Sequence, residues 1–213
     1  MNTPICNFLE KYAGENRLRL HMPGHDGEFP HDITEIYGAD NLFSSDVSGG
    51  IIGTSEALAA GVFGAKKTCY SCAGSTLAIQ TALAILKSQG CKRIAASRYS
   101  HRSLVSAAAL LQLDVKWLYP SEYMSADVTY DSAAITGVDA VFITNIDYYG
   151  GTWKFVQPNI PVVIDNAHGS YLKFVDKRKF GVEYVHPLEL GFPMMVAESA
   201  HKTLPVLTGG AYL

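Results

Sequence analysis

The sequence predicts an α/β protein, a mostly parallel sheet flanked by helices, and two observations carry that prediction. Short apolar, β-branched runs at residues 140–144 and 161–165 have the composition of strands buried on both faces. From Lys67 onward such runs alternate with helical patterns, which is the order of βαβ units.

The elements follow in order. Ile5, Phe8, Leu9 and Tyr12 have the spacing of a short amphipathic helix over residues 2–12, with Thr3 as N-cap and Pro4 at the first helical position. The segment Arg19-Leu20-His21-Met22-Pro23-Gly24-His25 is too broken by Pro and Gly to continue a helix. Thr54-Ser55-Glu56 offers caps for a helix over residues 57–63 that ends at Gly64. Residues 68–71 read as a short strand, and residues 75–87, rich in Ala, Leu and Ile, as a buried helix closed by Gly90. A strand at 93–96, a helix at 103–113 and a strand at 115–119 come next, then the strands at 140–144, 161–165 and 194–197. Between Thr144 and Pro161 lie about sixteen residues with two Gly and one Pro, a poor helix where a parallel crossover usually carries one. Either the crossover is irregular or the two strands are not neighbours. No internal repeat or low-complexity tract is present.

Composition narrows the function classes. The chain has 213 residues, enough for one sizeable core, with 48% hydrophobic and 17% charged residues. A net charge of −3 and a pI near 6.1 leave no basic stripe and argue against nucleic-acid binding. No apolar run approaches the roughly eighteen residues of a membrane span, and the start, Met1-Asn2-Thr3-Pro4, lacks a secretory pattern, so a cytoplasmic protein is expected. Cys69 and Cys72 form a C-x-x-C without a second pair to complete a zinc site; with Cys6 and Cys91 they are expected to be buried, reduced thiols. His21 and His25 have i, i+4 spacing, but Pro23 and Gly24 between them exclude the helix a two-His metal site requires, so no metal is expected.

Ligands of open α/β sheets collect at the carboxyl ends of strands. The polar residues expected there are Gly74, Ser75 and Thr76, then His101, then Thr144 and Asn145, then Asp165 and His168, then Ser199, His201 and Lys202. Gly74-Ser75-Thr76 opens a helix and reads as an anion site or as simple N-capping. Asp165 emerges from an apolar strand, either to meet a protonated ring nitrogen or to cap the next turn. His101 lies against a ring or caps its helix. Lys202 stands in an apolar neighbourhood, where desolvation makes a lysine amine nucleophilic, although most lysines are solvated surface groups.

The order of these pieces resembles the ornithine/lysine/arginine decarboxylase family. The matching segments are His21-Met22-Pro23-Gly24-His25, Asp32-Ile33-Thr34-Glu35-Ile36, Phe63-Gly64-Ala65, Cys72-Ala73-Gly74-Ser75-Thr76 and Ser100-His101-Arg102-Ser103. Asp165-Asn166-Ala167-His168-Gly169 and Ser199-Ala200-His201-Lys202-Thr203-Leu204 complete the series, which runs from about Leu18 onward. The resemblance implies the large domain of the pyridoxal 5'-phosphate (PLP) fold type I enzymes. Residues 1–40 would form an N-terminal helix and active-site loop segment, and residues 41–213 the PLP-binding major domain, incomplete at its C-terminal side.

By the same resemblance Lys202 carries PLP as a Schiff base, Asp165 pairs with the pyridine nitrogen, and His101 stacks on the ring. Gly74, Ser75, Thr76, Ser199 and His201 hold the phosphate, and Ala167 and His168 lie along the ring. The implied reaction is decarboxylation of lysine, ornithine or arginine to the amine, at a site shared across a homodimer.

Three departures accompany the resemblance. The chain runs only eleven residues beyond Lys202, the stretch 119–161 is shorter than in relatives, and Thr208-Gly209-Gly210 stands where many relatives carry Gln. Alternatives to the decarboxylase are therefore a truncated, catalytically incompetent fragment that binds PLP or only dimerises, another fold type I reaction such as an aminotransferase or lyase, and an α/β binding protein without PLP.

Overall fold

A computed structural model describes residues 2–15, 50–120, 128–148, 153–155, 159–180 and 185–213. The segments at 21–25 and 32–36 and the domain boundary expected at residue 40 lie outside the described residues. The chain divides into two compact units, Met1–Thr68 and Cys69–Leu213.

The first unit contributes α1 (Pro4–Gly14) and α2 (Gly50–Phe63). Thr3 occupies the N-cap position and Pro4 follows it, but the Thr3 hydroxyl caps no backbone N–H; it donates to Asn7 Oδ1 at 3.0 Å. Helix α2 corrects the expected start at residue 57. It begins at Gly50, and Thr54, inside the helix, satisfies its hydroxyl on the Gly50 carbonyl at 2.9 Å. Gly64 ends it at φ +74°, and the Ala65 N–H returns to the Ala60 carbonyl at 2.9 Å, a left-handed C-terminal closure.

The second unit is built on a five-stranded, all-parallel sheet of β2 (Arg93–Ser97), β3 (Asp114–Leu118), β5 (Ala140–Thr144), β7 (Val162–Asp165) and β8 (Met195–Ala197). The order across the sheet is β3-β2-β5-β7-β8. Helices α3 (Gly74–Ser88) and α4 (Arg102–Leu111) pack on each other, and α3 also meets β7 and β8. On that side Ile79, Leu83 and Leu104 lie with Ile94, Ala96, Phe142, Val163 and Ala197 in one buried cluster. Val141, Ile143, Val162, Ile164 and Val196 belong to a second cluster with Val128 and Tyr130. Alternate residues of each strand thus serve two cores, which is why the strands read as continuous apolar runs.

Two expectations are corrected and one open question is resolved here. The run at 68–71 is not a strand of the parallel sheet: β1 (Tyr70–Ser71) pairs antiparallel with β9 (Ala211–Tyr212). Two residues at the head of a helix offer too short an edge to join the larger ladder, and the pairing partner comes from far along the chain. Cys6, Cys69 and Cys72 are exposed, and Cys91 is buried: Cys6 lies on α1, which buries none of its residues, and Cys69 and Cys72 flank the two-residue β1. The strands flanking residues 145–160 are direct neighbours, with Val141 opposite Val162 and Thr144 opposite Asp165. Their irregular crossover contains β6 (Trp153–Phe155), which runs parallel to β4 (Val128–Tyr130). The Tyr130 hydroxyl donates to the Phe142 carbonyl at 3.1 Å and accepts from the Ser97 N–H at 3.2 Å, fastening β4 to the sheet; burial pushes its pKa up.

The remaining elements are single turns: α5 (Ser132–Ile135), α6 (Lys177–Phe180), α7 (Ala200–Thr203) and 3₁₀ turns at Ser170–Lys173 and Pro187–Leu190. At the amino ends of the strands, Asp139 accepts from the Lys92 and Arg93 N–H groups at 2.8 and 2.9 Å, which ties β5 to the start of β2 and holds the carboxyl below its ordinary pKa.

Candidate active site

Chain order reverses between β2 and β5: β3 lies on one side of β2, and β5, β7 and β8 on the other. A crevice outside the carboxyl ends of such strands is where α/β sheets bind ligands. Here a cleft of about 160 Å³ is lined by residues that follow β1, β2, β5, β7 and β8. It brings together Gly74, Ser75, Thr76, His101, Asp165, Ala167, His168, Ser199, His201 and Lys202, with Thr144 and Asn145, which the sequence also places at this edge.

One end is made by the start of α3. Gly74 has φ +69°, a conformation that admits glycine at little cost, and its N–H donates to the Gly209 carbonyl at 2.9 Å. Ala73 occupies the N-cap position without a side-chain cap, so the first-turn N–H groups after Gly74 are not taken by a capping hydroxyl. The Ser199 hydroxyl, 1% exposed, donates to Ser75 Oγ at 2.6 Å, and His201 enters through a backbone bond from its N–H to the Gly210 carbonyl at 3.0 Å. Hydroxyls, helix-start N–H groups and an imidazole form a donor set suited to an anion.

The deep wall is Asp165, the last residue of β7, 3% exposed. Its Oδ1 accepts from the Ala167 N–H at 3.1 Å, so it caps the next turn as one reading of the sequence held. Burial pushes its pKa up to about 6; the Ala167 N–H and the Lys202 charge oppose that rise, and the Glu198 charge adds to it.

The side wall is aromatic. His101 is the N-cap of α4, with Nδ1 accepting from the Ser103 N–H at 3.2 Å, which assigns the neutral-ring proton to Nε2. Tyr148 stands with its ring centroid 6.3 Å from that of His101 and 5.4 Å from that of His168, edge-on to the latter. Both imidazoles are held below their ordinary pKa by burial first and then by the Lys202 charge. They are neutral at pH 7.

Lys202 differs from the expectation of an apolar neighbourhood. It is exposed, on the single turn α7, where its Nζ donates to His168 Nε2 at 3.3 Å. Ala200, two residues before it, is fully buried, while Lys202 itself is exposed. Three further residues line the cleft and carried no signal in the sequence: Ile146, Asp147 and Tyr148. Ile146 has φ +56°, a left-handed conformation that is rare for a β-branched residue and sits directly after β5. Among the described residues no cluster of three or more His, Cys, Asp or Glu side chains has a metal-binding arrangement, and no helix is long and apolar enough to cross a membrane.

The sequence profile of the Orn/Lys/Arg decarboxylase major domain matches residues 3–139, which includes Ser75, Thr76 and His101. The uncharacterized protein YaaO of Bacillus subtilis is 28% identical over 100% of this chain and 48% of its own length. An arginine decarboxylase of the same organism is 28% identical over 82% of this chain and 41% of its own length. The chain spans about half the length of the curated relatives it matches. Among solved structures, lysine decarboxylase A from Pseudomonas aeruginosa superposes with a TM-score of 0.68 at 16% identity, over 98% of this chain and 34% of that one. The fold is that of the large domain of PLP fold type I enzymes. The chain belongs to the Orn/Lys/Arg decarboxylase family, matching the model of that family's major domain over residues 3–139.

Proposed function

We propose that this chain binds PLP in the cleft and contributes the major domain of a decarboxylase acting on lysine, ornithine or arginine. The observation that carries the reading is the convergence of an anion-binding end, an aromatic wall, a buried carboxylate and a lysine amine on one cleft at the carboxyl edge of the sheet.

The donor set fits the cofactor. Ser75, Thr76, Ser199 and His201, with the helix-start N–H groups of α3, would hold the phosphate. His101 and His168, neutral and partly buried, present flat faces and no competing positive charge to a ring between them. Asp165 retains one oxygen beyond the bond to Ala167, directed to a protonated ring nitrogen in this reading. Lys202 is the amine that would hold the cofactor covalently and yield to the substrate's amino group. PLP, when bound, supplies an electron sink for the bond broken at Cα as carbon dioxide leaves.

Each side chain then has a task of its own. Asp165, poised near pH 6 in a dry wall, favours a cationic N–H partner, because pairing relieves the cost of its buried charge. His168 accepts a hydrogen bond from Lys202 and so holds the amine among the residues that line the cleft. A basic amino acid as substrate and a homodimer as the working assembly follow from family membership, and both belong to this proposal.

The test uses purified chain and added PLP. A visible absorption band should appear, borohydride should bleach it, and a pyridoxyl group should remain on the peptide that contains Lys202. The same labelling in Lys202→Ala would refute the assignment of the lysine. Carbon dioxide release from lysine, ornithine and arginine then tests the reaction: labelling without release from any of the three would leave cofactor binding and remove the decarboxylase.

A further inference from the structure

Behind Asp165 lies a buried polar cluster that the proposed chemistry does not use. Glu198, 4% exposed, follows β8 and stands next to the end of β7, where the Asn166 N–H donates to the Ala197 carbonyl at 2.9 Å. Its carboxylate collects donors from three directions. Asn166 Nδ2 reaches Oε1 at 2.8 Å and Oε2 at 2.9 Å, the Ser170 hydroxyl donates to Oε2, and His186 Nε2 lies 2.8 Å from Oε1. His186 is fully buried, and its Nδ1 accepts from the Leu188 N–H at 3.3 Å, so the ring proton sits on Nε2 and points at the carboxylate. Every partner has an N–H or O–H to donate, a set that suits a carboxylate.

The cluster extends into the turn that carries the cleft residues. Asn166, fully buried, accepts from Asn145 Nδ2 at 2.6 Å, and Asn145 follows β5 in the cleft lining. Gly169 closes the turn over the Asn166 amide; a Cβ there would stand 2.1 Å from Asn166 Oδ1 and 3.2 Å from Asn145 Nδ2. In the Asp165-Asn166-Ala167-His168-Gly169 segment, Asp165, Ala167 and His168 line the cleft, while Asn166 and Gly169 belong to the cluster.

We propose that Glu198 is a positioning residue, whose buried carboxylate clamps Asn166, fixes the turn that presents Asp165 and His168 to the cleft, and places a second fixed negative charge behind Asp165. A cationic group in front of Asp165 then meets two carboxylates rather than one. The part played by that cation rests on the cofactor reading above, whereas the clamp and the charge do not. The charged and titratable groups facing the pair are Lys202 on the cleft side, itself bonded to His168, and His186 and Tyr212 around Glu198.

The test is run on the chain without added cofactor, so a failure of PLP binding leaves it intact. Carboxyl carbon NMR follows the titration of Asp165. Glu198→Gln keeps the size and removes the charge, and the Asp165 midpoint should fall by a few tenths of a pH unit or more. Glu198→Asp keeps the charge with a shorter reach and should leave the midpoint near that of the parent. An unchanged midpoint in Glu198→Gln, or equal shifts in both variants, overturns the electrostatic role. If Glu198→Gln fails to fold, the unmodified chain still decides the clamp: the Asn166 side-chain NH₂ protons should exchange with solvent at least about a hundredfold more slowly than a free amide. Exchange at the free rate overturns it.

Discussion

Replacing Asp165 by Asn tests the electrostatics of the deep wall without changing its shape. In the folded chain the carboxyl titrates near 6, against an ordinary value of 3.8. The folded pKa is raised, so the folded state binds the proton more tightly than the unfolded one. Stability contributed by the protonated acid is fully present below pH 3.8 and is lost as pH rises through about 6. The displacement is about two pH units, and at 1.36 kcal/mol per unit the folded state gives up about 3 kcal/mol between pH 3.5 and pH 7.5 from this group. The Asp165→Asn variant carries no such dependence, while its new side-chain oxygen can still accept from the Ala167 N–H. Urea unfolding of parent and Asp165→Asn chains at pH 4, 5, 6, 7 and 8 measures the difference. The variant should gain on the parent by about 3 kcal/mol across that range, with most of the gain between pH 4 and pH 6. Parallel stability profiles would refute the claim that burial raises the Asp165 pKa.

Three other substitutions probe the cleft. Gly169→Ala forces a methyl group to 2.1 Å from Asn166 Oδ1, and unfolding should show a loss of about 2–3 kcal/mol; a loss under about 0.5 kcal/mol would mean that the Asn166 amide is not fixed there. Gly209→Ala combines φ +92° with a contact of 2.7 Å to the Cys72 carbonyl. It should cost about 2 kcal/mol or more and loosen the start of α3, read as faster amide exchange at Gly74. Ser199→Ala removes the 2.6 Å bond to Ser75 and should weaken PLP binding by about 1 kcal/mol, roughly fivefold in Kd, with thermal stability of the free chain little changed.

The parallel sheet was legible because its strands are local, apolar and buried on both faces, so that residues 140–144 read correctly from composition alone. The cleft was legible because strand ends point to a common edge: Asp165, His101 and Lys202 meet there although none of them is informative singly. What sequence could not supply depends on contacts made at long range. The start of α2 at Gly50 hides behind a Gly-Ile-Ile-Gly run with no capping signature, and the true role of Thr54 is a back-bond inside the helix. The exposure of Lys202 depends on the orientation of a one-turn helix, which neighbouring apolar residues do not reveal. Glu198 offered one faint signal, an acid directly after the apolar Met-Val-Ala strand, but its partners His186 and Ser170 come from separate turns and share no spacing with it. Tyr148 lines the site two residues after the left-handed Ile146, a conformation that a β-branched residue does not announce in sequence.

The anion end of the cleft has a consequence for the order in which the protein assembles. Gly74 is held by Gly209, Cys69 by Leu213 and His201 by Gly210, so the start of α3 is secured by chain lying almost the whole length of the second unit downstream. Such contacts close a long loop and form late, after the entropy of closure has been met by the sheet and its helices. A ribosome-bound chain can therefore complete β2, α4, β3, β5 and β7 while the cleft is still open at this end. The backbone bonds at this end of the cleft are complete only once residues 209–213 have docked.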